Sequence, residues 1–177
     1  VYEGTLDSVF KAIMSGCLLY LADLISKLTG LDKAFIIKNF KEQNVEHKIA
    51  NALERKKVSD FIFKLPGFII NLECNRGYWD GLIERYDAYF CKLKGELLSK
   101  GEEYSKNIKV IQINLDIFDN FEECLGKENI TKFHMKNNEN IIGTETSEKI
   151  HIDMMKSYNK YLNEEELTKL DKELVIL

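Results

Sequence analysis

The sequence predicts one mixed α/β domain of α+β character, with a small mixed central sheet flanked by helices. Three features predict it. Lys57 to Arg76 (KVSDFIFKLPGFIINLECNR) reads as two apolar strands, Val58 to Leu65 and Phe68 to Asn75, hinged at Pro66-Gly67. Trp79 to Lys100 then places Leu82, Tyr86, Tyr89, Phe90, Leu93 and Leu97 three or four apart, the spacing of a helix, with Gly101 as its stop. Ile108 to Phe118 (IKVIQINLDIF) is β-branched and alternating, which makes it a strand. With the helix as crossover, this strand is expected to run parallel to the second hairpin strand.

The remaining elements follow in order. Leu6 to Ser15 and Leu18 to Leu28 have helical periodicity, interrupted at Gly16 and stopped at Gly30. Leu31 to Gln43 is helical or irregular. The next segment, NVEHKIANALERKK, is either helical through Leu53 or preceded by a first short strand near Phe40 to Glu46. Within the hairpin, one face collects Ser59, Phe61, Phe63, Leu65, Phe68, Ile70, Leu72 and Cys74 and is expected to face a core. The other collects Asp60, Ile62, Lys64, Ile69, Asn71, Glu73 and Asn75. A type II Pro-Gly turn suits a two-residue hairpin poorly, and a four-residue loop keeps the same pairing. Thr131 to Lys136 and Lys149 to Met154 read as two further strands around turn-prone NNEN and IIGTETSE. Tyr158 to Leu174 is a polar helical tail, with Asn163 of NEEELTKL as its cap.

Length and composition fit this plan. The 177 residues suffice for one domain and one sizeable core, and 45% hydrophobic with 31% charged residues describes a soluble, ordered chain. A single proline and the lack of Ser/Gly-rich tracts argue against linkers. The cysteines at 17, 74, 91 and 124 have no CxxC spacing and no secretory segment opens the chain, which favours a reduced, cytoplasmic compartment. Apolar runs are too short or too interrupted to span a membrane, so no membrane partner is expected. The net charge of −4 gives no global attraction to nucleic acid. Val1 stands where an initiator methionine would, as in a trimmed chain.

The chemistry concentrates on the hairpin. In the expected register Asp60 lies directly across from Glu73, with Cβ atoms roughly 4.5 to 5.5 Å apart on one face. Facing like charges destabilise a sheet and call for a cation. Asp60 and Glu73 can each give an oxygen to Mg²⁺ or Mn²⁺, and the backbone carbonyl of Cys74 a third. Asn75, on the face of Glu73, can hold a water or a phosphate oxygen by hydrogen bonds, without acting as a base. His47, His134 and His151 share no metal-ligand spacing and read as structural. Tyr78, Trp79, Tyr86 and Tyr89 read as core packing rather than a base-stacking platform.

Aspartate, twelve intervening residues, then E-x-N across two strands with a helix after them resembles the PD-(D/E)XK nucleases. More narrowly it resembles their recombination-promoting nuclease and putative transposase group. The group's opening D-x-x-F-K is matched by Asp7, Phe10 and Lys11, and its Asn-Pro-Glu piece by Asn44, Val45 and Glu46. Its R-x-x-x-Y helix with a K-G-E-x-Y ending is matched by Arg85, Tyr89 and the run Lys100 to Tyr104. VIQINLDIF and KIHIDMM are similar to later strands of the group, so the likeness spans nearly the whole chain. The sequence departs from the group at Asn75, where Gln or Lys is usual, and at Val58, where Arg is common. Members are often longer, which leaves room for a further C-terminal region.

The resemblance implies a restriction-endonuclease-like core in one domain over residues 1–177: a helical prelude 1–43, a core 44–155 and a C-terminal helix 156–177. It implies a Mg²⁺-dependent DNA endonuclease, with DNA as partner and a homodimer kept open. Asp60, Glu73 and Asn75 would be catalytic, and Asp60, Glu73 and the Cys74 carbonyl would hold the metal. Asp7, Lys11, Glu46, Arg85 and Tyr89 would be accessory; Asp7 or Glu3 would complete the metal shell, unless it is a helix cap or surface acid. Arg85 would meet a phosphate or pair with Glu84, Asp87 or Glu73. The alternative is a catalytically inactive nuclease-like domain that binds DNA or protein as a regulatory module.

Overall fold

Two apolar strands joined by a proline and a glycine fold back on each other in the computed structural model, which describes residues 16–40, 42–43, 61–96, 108–175 and 177. Strands β2 (Phe61–Leu65) and β3 (Phe68–Arg76) pair antiparallel, with Leu65 opposite Phe68 and Phe61 opposite Leu72. This is the expected register, closed by the two-residue loop rather than a longer one. Pro66 fixes one φ and Gly67 takes φ 79°, a value that costs glycine little. Ahead of the hairpin lie α1 (Leu18–Thr29), α2 (Lys33–Asn39) and the two-residue β1 (Glu42–Gln43). The short first strand is therefore present, at the start of the expected Phe40 to Glu46 window. The Asp32 carboxylate caps α2 by accepting from the Phe35 N–H at 2.7 Å.

After β3 come α3 (Leu82–Glu96), β4 (Lys109–Ile117), α4 (Phe121–Leu125), β5 (Ile130–Phe133), β6 (Ser147–Asp153), α5 (Met154–Leu162) and α6 (Lys169–Leu174). The sheet is mixed and six-stranded, in the order β1-β2-β3-β4-β6-β5. Strands β3, β4 and β6 run parallel at its centre, with antiparallel partners outside. Thus β3, α3 and β4 form the expected strand-helix-strand unit.

Both faces of the central strands are covered. One face carries Phe63, Leu65, Ile70, Leu72, Ile111, Ile113, Leu115, Ile150 and Ile152, packed with buried residues of α1, α2 and α6. This is the face expected to meet a core. The opposite face lies against α3. At one end Ile62, Ile69 and Val110 meet Phe90 and Leu93; at the other, Leu82 and Tyr86 meet Phe118, Phe121 and Leu125. Between these apolar clusters the face is polar and buried.

The structure departs from the sequence reading at the C-terminus. The tail is two helices, starting at Met154, before the expected 156 boundary. Asn163 ends α5 instead of opening a helix, and Glu164 takes φ 56° to turn the chain. The cap of α6 is Thr168, whose hydroxyl accepts from the Asp171 N–H while the Asp171 carboxylate accepts from the Thr168 N–H. The helix expected over Leu6 to Ser15 and the stop at Gly101 lie outside the described residues. Among the described residues no helix is long and apolar enough to cross a membrane.

Candidate active site

Alternation along β3 turns Asn71, Glu73 and Asn75 to the α3 side, and the parallel register brings matching rows beside them. Asn71 aligns with Gln112, Glu73 with Asn114, and Asn75 with Asp116. On the next strand Gln112 aligns with Lys149, Asn114 with His151, and Asp116 with Asp153. Three strands thus present a polar residue at every second position, under a helix. Glu73 is 2% exposed, Asn75 7% and Asp116 0%.

Hydrogen bonds connect most of this layer. Asn71 Nδ2 donates to Glu73 Oε1 at 3.0 Å. Asp116 Oδ1 accepts from the Tyr86 hydroxyl at 2.5 Å and from Asn75 Nδ2 at 3.3 Å. Its Oδ2 lies 2.9 Å from His151 Nδ1. The Asn114 oxygen accepts from Gln112 Nε2 at 3.1 Å, which turns the Asn114 amide nitrogen toward His151 Nε2 at 3.2 Å. In this arrangement Nε2 accepts and Nδ1 carries the proton given to Asp116. The Asn71 and Gln112 amide oxygens have no hydrogen-bond partner among the described residues. Burial, with Asp116 beside it, pushes the Tyr86 hydroxyl far above its ordinary range and keeps it a donor.

At the rim, Lys149 pairs with Asp87 and lies 5.2 Å from the centre of the Phe90 ring; burial lowers its pKa. Burial raises the pKa of Asp153, whose carboxylate caps α5 by accepting from the Lys156 N–H. A cleft of about 520 Å³ opens at the carboxyl ends of β3 and β4, lined in part by Gly77, Tyr78, Ile117 and Phe118. Ligands of open α/β sheets bind at such strand ends.

The structure brings together two of the three expected catalytic residues, Glu73 and Asn75. The Cys74 side chain packs into the opposite core, which leaves only its backbone for the centre. Arg85 stacks over the Tyr89 ring at 5.0 Å, and Asp87, one of its expected partners, is taken by Lys149. Asp60, Asp7, Lys11, Glu46, Glu3 and His47 lie outside the described residues. His134 is exposed, whereas His151 belongs to the polar layer. Tyr86 and Tyr89 are buried as expected, but Tyr78 and Trp79 stand at the surface, 40% and 46% exposed.

Sequence reasoning put Asn71 on the face of Glu73 and Asn75 but missed Gln112, Asn114, Asp116 and Tyr86 as members of one layer. For the strand residues the signal is present: IINLECN, VIQINLDI and KIHID each put polar residues at every second position of an apolar strand. Compared with models of known protein families, with curated proteins and with solved structures, the chain matches none.

Proposed function

We propose that the chain is a Mg²⁺-dependent DNA endonuclease of the PD-(D/E)XK type, acting on phosphodiester bonds, with the metal held by Glu73 and Asp60. The observation that carries this reading is the E-x-N pair: Glu73 and Asn75 stand side by side on a buried polar face of a parallel strand. Asp60, outside the described residues, enters the proposal from the sequence alone, as the acid expected across the hairpin from Glu73.

The donor set fits a hard cation. Asn71, Asn75, Gln112, Asn114 and Asp116, all oxygen-bearing, share the face of Glu73 in the sheet register, and the Cys74 side chain belongs to the other face. When bound, Mg²⁺ supplies polarisation of a phosphoryl oxygen and acidification of water. Glu73 and Asp60 would hold that ion, Asn75 would hydrogen-bond the attacking water, and α3 would exclude bulk solvent. Lys149 at the rim offers a cation toward a phosphate, in exchange with Asp87.

The test is nicking of supercoiled plasmid with Mg²⁺ or Mn²⁺. Cleavage is expected from the unmodified chain and lost in Asp60→Ala and Glu73→Ala; undiminished cleavage by both variants rejects the site. One observation favours a second reading, a nuclease-like domain that binds without cutting: α3 covers Glu73 and Asn75 almost completely. On that reading no metal supports cleavage, and calorimetry finds no Mg²⁺ heat that depends on Glu73.

A further inference from the structure

We infer that Asp116 is the positioning residue that orients Asn75, and that His151 and Tyr86 act on the centre through Asp116. The consequence for cleavage rests on the endonuclease reading, whereas the arrangement rests on contacts alone. An asparagine amide has a donor end and an acceptor end of nearly the same shape, so its neighbours decide which way it faces. Asp116 Oδ1 accepts here, from the Tyr86 hydroxyl as well as from Asn75. Its Oδ1 takes Asn75 Nδ2 at 3.3 Å, which leaves the Asn75 carbonyl oxygen turned away from Asp116.

Asp116 is itself fixed. The Tyr86 hydroxyl holds Oδ1 at 2.5 Å from the helix side, and His151 Nδ1 holds Oδ2 at 2.9 Å from the neighbouring strand. The imidazole can donate from Nδ1 because Asn114 occupies Nε2, and Asn114 faces that way because Gln112 donates to its oxygen at 3.1 Å. The Tyr86 and Phe133 rings pack on His151 at 5.0 and 5.5 Å between centroids and keep it from solvent. His151 is 3% exposed, and its effect on the centre is carried by Asp116. Asn75 presents an acceptor to the O–H of the water that Glu73 serves. That orients the water without making or breaking a bond at the amide, and offsets the short reach of an asparagine.

Side-chain amide exchange in the full-length chain, followed by ¹⁵N-resolved NMR, tests the orientation without reference to activity. Asp116→Asn is expected to lower protection of the Asn75 amide about tenfold. His151→Asn, which can present an N–H where the imidazole had one, stays near the unmodified chain, and His151→Leu follows Asp116→Asn. In cleavage assays Asp116→Asn lowers kcat roughly 10- to 100-fold with KM nearly unchanged, and His151→Asn restores most of what His151→Leu loses. Unchanged Asn75 exchange in Asp116→Asn overturns the inference. Should that variant not fold, the imidazole of the unmodified chain decides: a protonated Nδ1 and bare Nε2 support the inference, and the opposite tautomer overturns it. An unmodified chain that never cuts defeats the endonuclease reading, while amide exchange still decides the orientation.

Discussion

Asp171, buried outside the site, shows a carboxylate surrounded by several donors. Its carboxylate accepts from the Ser157 and Thr168 hydroxyls at 2.7 Å each, the Thr168 N–H at 3.0 Å, Lys160 Nζ at 3.2 Å and Asn129 Nδ2 at 3.3 Å. Replacing it leaves those donors without an acceptor, so Asp171→Ala is expected to lose about 3 kcal/mol in urea unfolding. A loss below about 1 kcal/mol contradicts this role. The same residue-scale logic governs what was legible in the candidate site. Glu73 and Asn75 stand out because they interrupt the apolar run FIINLECN. Asp116 does not, because the β-branched alternation of IKVIQINLDIF hides the polar half of its own period. The spacing of histidines along the chain does not show the role of His151, because its partners, Asp116 and Asn114, are reached across strands β4 and β6.

Elements with a strong period were legible, and those set by local backbone geometry were not. The hairpin, α3 and β4 follow directly from apolar spacing, and their packing on two faces explains why those residues recur as they do. The five-residue α4 is too short to show a period, and the break between α5 and α6 depends on Glu164 entering a left-handed conformation that no apolar residue marks. The hairpin turn makes a prediction at this scale. Gly67→Ala places a Cβ at φ 79° and is expected to cost about 1 to 2 kcal/mol, read as a lower urea midpoint at unchanged slope. No shift in midpoint contradicts a two-residue Pro-Gly turn.

Across the whole molecule, the electrostatics predict an acid limit to stability. Burial alone would raise the pKa of Asp171, but hydrogen bonds from Thr168 and Ser157 hold it at about 2, below the roughly 3.9 of an unfolded aspartate. Hydrogen bonds from Lys27 and then Lys33 likewise hold Asp23 well below the usual carboxylate range. A lowered folded pKa gives stability that is complete above the unfolded value and disappears as pH falls through the folded one. Tm is therefore expected to drop between about pH 4 and pH 2, and Asp171→Asn to flatten that drop. An equally steep drop in the variant contradicts the assignment.

The architecture concentrates its polar chemistry between one sheet face and one helix. Glu73 is proposed to work there as part of a metal-dependent cutting centre. Its most direct test is the single-turnover rate of plasmid nicking in Mn²⁺ by the unmodified chain and by Glu73→Gln, which keeps the shape and the Asn71 contact but removes the charge. The account predicts metal-dependent nicking that falls by roughly 100-fold or more in the variant. Equal rates in the two proteins, or no nicking by the unmodified chain in any divalent metal, contradict it.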